Sequence, residues 1–311
     1  MKKPTSSATP AFSLSRITAF TALALASGAI GIGSGAHAAF VDFSDDFTNL
    51  SNWSSGTYGN AMPASAADGK ATFDVGVTTA NARTVLRSSR ADFNPFDQAF
   101  SIKLDGLVFG GVPGSAATTG TAGRNIGYVL IGRTQDATGG GNSGTANYNP
   151  GFTAGFANGR GMLSLSIWQR TSGNYSINLT QGAGTTWTSV LGTGSDIAIT
   201  AAPASIEWNL GVNASSQLLE WTVTLGGAFF TDTQQNTRSG TFDSLVTASL
   251  LKDAYLALGA WNNYQAVATA SLLEIDSISV TAIPEARTMA LSIGVAGLFL
   301  GGLVRCCRRG K

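Results

Sequence analysis

The sequence predicts an all-β exported domain, an antiparallel two-sheet sandwich of ten or more strands, flanked by two apolar ends that do not belong to it. Apolar residues recur at every second position in segment after segment of the middle, and Gly, Asn, Ser and Asp clusters separate those segments. No window there keeps a helical apolar period over three turns.

The alternation is explicit. "KATFDVGV" points Ala71, Phe73, Val75 and Val77 one way, "SIEWNLGV" does so with Ile206, Trp208, Leu210 and Val212, and "LLEWTVTL" with Leu219, Trp221, Val223 and Leu225. Further segments are "AFSIKLDGLVF" from Ala99, "NIGYVLIGR" from Asn125, "GMLSLSIWQR" from Gly161, "NYSINLT" from Asn174, "AYLALGAW" from Ala254 and "SLLEIDSISV" from Ser271. Three stretches break the rhythm and read as long loops: 110–124, 135–161 and 181–196. None carries a phosphate-cradling glycine motif.

The two ends are read first as processing segments. Lys2, Lys3 and Arg16 precede an Ala/Gly-rich apolar run that closes on Ala36-His37-Ala38, the pattern of a secretory signal peptide over residues 1–38, removed by signal peptidase. At the other end, Thr288 to Val304 is a 17-residue uncharged run, about 25 Å long as a helix and so at the lower limit of a transmembrane span. Arg305, Arg308, Arg309 and Lys311 follow it, which places that end in the cytoplasm and the body outside.

Between the ends lies a body at 39–283 without histidine or cysteine, because His37, Cys306 and Cys307 all fall outside it. That excludes a Ser-His-Asp or Cys-His nucleophile, a His- or Cys-ligated zinc or copper site, and a disulfide within the body. Eight of the 19 basic residues lie in the ends but only Glu285 of the 18 acidic ones, leaving the body 11 basic against 17 acidic, a net of −6. A mildly acidic body without a basic cluster argues against nucleic acid as a partner.

The opening "VDFSDDFTNLSNWSSG", the early "DGKATFDV" and the closing "AYLALGAWNNYQAVATASLLEIDSISV" resemble the concanavalin A-like lectin/glucanase superfamily over Phe40 to Thr281. The resemblance implies a jelly roll with a concave sheet that in many members faces carbohydrate. Laminarinase-type glucanases of that superfamily carry E-x-D-x-x-E; here Glu274 and Asp276 match its first two positions and Ser279 stands at the third. Retaining hydrolysis needs a carboxyl pair about 5 to 5.5 Å apart, so the substitution removes proton donation to the leaving group, and no catalytic residue is assigned. The phase change at Asp276-Ser277, between Leu273 and Ile275 on one side and Ile278 and Val280 on the other, has the form of a β-bulge. Related carbohydrate-binding modules hold a structural calcium where first and last strands meet, which implies a site at Asp45, Asp46 and Asp276; no other cofactor is expected.

Trp208 and Trp221 alternate in register with aliphatic residues and read as core. Trp168 instead shares parity with Ser164, Ser166 and Arg170; Trp187 sits in a Gly/Thr stretch; Trp261 precedes Asn262, Asn263 and Tyr264 at a strand end. Those six, Trp168, Trp187, Trp261, Asn262, Asn263 and Tyr264, are the expected ligand-facing set.

Finally, Pro284-Glu285-Ala286 before the apolar run and its arginines resembles the PEP-CTERM sorting signal of Gram-negative bacteria, whose usual form is Pro-Glu-Pro. The resemblance implies an exosortase-type membrane protease as partner. The body would be held transiently at the inner membrane and then passed to the cell surface or extracellular matrix. Hydropathy alone is equally satisfied by a plain C-terminal anchor. Two functions of different class follow: a non-catalytic surface or matrix protein that binds extracellular polysaccharide or serves structurally, and a polysaccharide-active enzyme using Glu207, Glu220 or Glu274, the only glutamates of the body.

Overall fold

A computed structural model describes residues 40, 42–58, 61–75, 82–110, 124–132, 161–170, 173–183, 186–191, 196–263 and 272–284, all within the compact unit Phe40–Lys311. In chain order the strands are β1 (Phe43–Asp45), β2 (Trp53–Tyr58), β3 (Ser65–Ala67), β4 (Lys70–Asp74), β5 (Arg83–Ser88), β6 (Phe100–Asp105), β7 (Val108–Gly110), β8 (Arg124–Gly132) and β9 (Gly161–Arg170). They continue as β10 (Tyr175–Ala183), β11 (Thr186–Ser189), β12 (Ile197–Ile199), β13 (Ser205–Val212), β14 (Leu219–Gly226), β15 (Thr237–Thr241), β16 (Tyr255–Asn263), β17 (Leu272–Ile275) and β18 (Ser277–Ala282). No helix occurs among the described residues.

Every pairing between these strands is antiparallel, and they form three sheets consistent with a jelly-roll sandwich. The six-stranded sheet runs β1-β18-β6-β13-β14-β15, the eight-stranded sheet β11-β10-β9-β8-β16-β5-β2 with β12 also on β10, and the four-stranded sheet β3-β4-β17-β7. The main core is built from all three, for example Trp208 and Val223, Leu165 and Leu258, and Phe73 and Ile275.

Sequence pattern explains which sheet is wet. β13 and β14 alternate buried and more accessible residues, because one face meets the core and the other meets water. β9 is buried at every position but its last, so both faces of the eight-stranded sheet are covered at its centre. Between β3 and β4 the two-residue turn Asp68-Gly69 has φ of 55° and 71°, the geometry for which Asp-Gly is favoured.

The segment from Ala99, expected as one strand, is two. β6 joins the six-stranded sheet and β7 the four-stranded one, and the chain turns between them at Gly106, with φ 67°. The phase change at Asp276 is the partner of that turn: β17 stays with β7 and β18 with β6, so the two chains change sheets side by side. A Cβ on Gly106 would stand 2.1 Å from Asp276 Cγ, and only glycine leaves room for the crossing.

The expected loop 181–196 is also corrected. β10 runs on to Ala183 and β11 pairs back on it, with Trp187 opposite Gly182, so Trp187 lies in an edge strand rather than a loop. The other two expected loops, and the calls on residues 1–38, 285, 286 and 288–311, fall largely or wholly outside the described residues.

Candidate functional site

Because side chains alternate along a strand, register fixes the two faces of the eight-stranded sheet. Leu163, Leu165 and Ile167 of β9, with Ile177 and Leu179 of β10, point into the main core. The opposite face carries Ser164, Ser166, Trp168 and Arg170, the parity group expected from the sequence. It is extended sideways by Tyr128 of β8, Trp261 of β16 and Asn178 and Thr180 of β10. Trp261, Ile126 and Trp168 form one cross-strand row; Gly259, Tyr128, Ser166 and Asn178 form the next; Ala257, Leu130, Ser164 and Thr180 the third.

A small second core underlies this face, and it includes Val85, Ile126, Tyr128, Trp168 and Trp261. Trp168 is 7 % exposed and Trp261 2 %, so both rings form the floor of the face and not a solvent-facing platform. Trp168 Nε1 donates to Ser166 Oγ at 2.9 Å, and Ser189 Oγ donates to Asn178 Oδ1 at 2.8 Å. Ser164 Oγ is buried with no hydrogen-bond partner. At Gly259 a Cβ would meet Tyr128 Cζ and Oη at 2.4 Å and the Thr84 carbonyl oxygen at 2.7 Å. The absent side chain is what lets the Tyr128 phenol lie across β16.

The margin is basic and half-buried. Arg83 lies 5.1 Å from the centre of the Trp261 ring, Arg87 4.4 Å from that of Tyr255, and Arg170 5.8 Å from that of Trp168, distances at which a guanidinium is attracted to a π-face. Arg170 also pairs with Asp196. Burial opposes ionisation of Asp196, but the Arg170 hydrogen bond and the Ser176 hydroxyl outweigh it and hold the carboxyl below its ordinary pKa.

Of the remaining expected ligand-facing residues, Asn263 stands opposite Arg124 and Asn262 opposite Asn125 on β16. Tyr264 lies outside the described residues, as do the side chains of Trp187, Asn262 and Asn263.

The structure does not gather Asp45, Asp46 and Asp276 into a cation site. Asp45 accepts from Phe47 N (2.7 Å), Asn52 Nδ2 (2.9 Å) and Trp53 Nε1 (2.8 Å), and Asp46 accepts from Thr48 N at 3.1 Å. Asp276 faces Lys70 at 3.5 Å, and Glu274 faces the same ammonium at 3.4 Å. The charge of Asp276 and the hydrogen bond to Glu274 raise the Lys70 pKa. First and last strands do pair, Asp45 opposite Ile278, but the carboxylates are spent on local partners. Among the described residues no three His, Cys, Asp or Glu side chains converge to hold a metal.

The three glutamates are likewise apart from the candidate face. Glu207 accepts from Ser101 Oγ (3.3 Å) and Glu220 from Asn213 Nδ2 (2.8 Å), both on the six-stranded sheet, and Glu274 is on the four-stranded one. Of the sorting motif, Pro284 is exposed at the end of the described chain; Glu285, Ala286, Arg305, Arg308 and Arg309 lie outside it.

Sequence reasoning missed Arg83, Arg87, Tyr128, Asn178 and Thr180. "RTVLRS" did carry a signal, since residues four apart in a strand share a face, but β5 lacks the alternation by which strands were recognised.

No protein-family model and no curated protein matches the chain. Solved structures similar to it include an endo-1,3-beta-glucanase from Streptomyces sioyaensis, at 12 % identity over 78 % of this chain and 96 % of that one, with a TM-score of 0.46. The legume lectin-like domain from Entamoeba histolytica is 9 % identical over 74 % of this chain and 90 % of that one, with a TM-score of 0.40. Lectin II from Ulex europaeus is 10 % identical over 78 % and 99 %, with a TM-score of 0.41.

Proposed function

We propose that the body is a non-catalytic glycan-binding domain of an exported surface or matrix protein, and that the glycan binds along the half-buried, arginine-lined margin of the eight-stranded sheet. One observation carries this. The margin combines the half-buried guanidinium groups of Arg83, Arg87 and Arg170 with the half-buried ring of Tyr255, while no strand of the sheet contributes a carboxylate. Rings pack on the C–H faces of sugars and the polar groups bond their hydroxyls. Hydrolysis would require a carboxyl pair across the scissile bond. Export by residues 1–38 and sorting by the Pro284-Glu285-Ala286 tail belong to the same proposal and rest on the sequence features described above.

Binding of the chain to a panel of soluble and insoluble polysaccharides, with and without calcium, tests it. Saturable binding to at least one glycan is expected, with no dependence on calcium. A failure to bind any glycan leaves only the structural role. The polysaccharide-active alternative is tested by assaying hydrolysis in the parent and in Glu207→Gln, Glu220→Gln and Glu274→Gln. We expect no activity to lose, and a hydrolytic activity abolished by one of these variants refutes the non-catalytic assignment.

A further inference from the structure

We propose that the glycan taken by this margin is a polyanion, a uronate-containing or sulfated polysaccharide, gripped along the β5 side by Arg83 and Arg87. This deepens the glycan-binding reading above and rests on it. The strands of the eight-stranded sheet contain four charged residues, Arg83, Arg87, Arg124 and Arg170, all of them arginine. Register places Arg83, Arg87 and Arg170 on the same face, Arg83 beside Trp261 and Arg87 beside Ala257. The strands of the other two sheets hold six acidic residues, Asp45, Asp74, Asp105, Glu207, Glu220 and Glu274, against three basic ones, Lys70, Lys103 and Arg238.

In a body with a net charge of −6, the strands of the eight-stranded sheet thus carry positive charge alone. Arg170 is compensated by Asp196. Among the described residues Arg87 has no ion-pair partner of that kind: the side chain is half-buried and its guanidinium stacks on Tyr255. An anionic oxygen at the guanidinium supplies the missing countercharge, in the planar geometry guanidinium favours. Arg83 and Arg87 are four residues apart on one strand, about 13 Å. That exceeds one sugar ring, so the pair spans successive residues of a polymer and not a monosaccharide.

The test measures binding of the full chain to dextran and dextran sulfate, which share a backbone and differ in charge, and to polygalacturonate and a neutral β-glucan. We expect the two polyanions to bind, the neutral polymers not to, and affinity to fall as salt rises. Arg87→Gln should weaken polyanion binding about tenfold, Arg87→Lys about fivefold because the ammonium keeps the charge but not the planar fork, and Arg238→Gln, on the six-stranded sheet, not measurably; unchanged thermal midpoints exclude misfolding. Neutral polymers binding as tightly as the polyanions overturns the inference and leaves the glycan reading intact. Equal losses in Arg87→Gln and Arg238→Gln also overturn it, since bulk charge would then account for the binding. No binding to any polymer refutes the glycan reading itself.

Discussion

Replacing Gly259 by alanine tests whether the Tyr128 phenol lies flat across β16 at the centre of the candidate face. The added methyl would stand 2.4 Å from Tyr128 Cζ and Oη and 2.7 Å from the Thr84 carbonyl oxygen. The phenol can swing aside, though it is 3 % exposed and closely packed. The carbonyl cannot, because Gly259 pairs with Val85 in the β16–β5 ladder and the strand spacing is set by it. Overpacking of a well-filled site costs about 1 to 3 kcal/mol, and with a backbone atom involved we expect about 3 for Gly259→Ala. In a Tyr128→Ala background the ring contacts vanish and the carbonyl contact remains, so the same substitution should cost only about 1 kcal/mol, a coupling of about 2. Urea denaturation followed by tryptophan fluorescence, on the parent, both single variants and the double variant, measures all four corners of the cycle. A Gly259→Ala cost under about 0.5 kcal/mol, or strict additivity with Tyr128→Ala, refutes the placement of the ring.

Ser164→Ala exchanges a buried hydroxyl lacking a partner for hydrogen, so stability should be unchanged or raised by up to about 1 kcal/mol; a loss larger than that in urea denaturation means the hydroxyl is bonded. Trp53→Phe removes the indole bond to Asp45 at 2.8 Å and should cost about 1.5 kcal/mol, as loss of a bond to a charged acceptor does, measured by the same method. The Asp196 pKa is depressed in the folded state, so its contribution is present above the unfolded value of about 3.9 and is lost as pH falls through the lower folded value. The stability difference between parent and Asp196→Asn should therefore be constant near neutrality and collapse below about pH 4; a difference that instead disappears between pH 6 and 8 refutes the ion-pair account. Chelation by EDTA should leave the thermal midpoint unchanged, because Asp45 is occupied by three donors and Asp276 faces Lys70.

Legibility in the sequence followed the solvent. Strands with one wet face, such as β13 and β14, print their burial as alternation and were readable, and Trp208 and Trp221 are core as that alternation predicts. β5, with buried residues on both sides, was invisible to the same rule, and with it went Arg83 and Arg87. The parity of Trp168 with Ser164, Ser166 and Arg170 was legible because β9 alternates in chemistry even where it does not alternate in burial. The burial of that row was not, since it arises from side chains of β5, β8, β9 and β16 that meet only in the assembled sheet. The corner at Gly106 and Asp276 was half visible. A bulge shows as a phase change in one strand, but a change of sheet needs two strands to turn together, and no local pattern reports the second.

The segment from Leu272 to Ala282 also sets an order of assembly. β17 lies between β4 and β7, and β18 between β1 and β6, so these last strands fill interior gaps in two sheets at once. Until they are synthesised, neither sheet can close, whereas every strand of the eight-stranded sheet is already available. Most pairings that complete the sandwich thus join residues more than 160 positions apart, Phe43 with Val280 among them, and such long closures slow folding. A chain ended at residue 271 should remain protease-sensitive while the full chain resists. The sandwich therefore acquires its final form only after almost all of its length has been made, so the eight-stranded sheet waits for the last strands before the other two sheets lock around it.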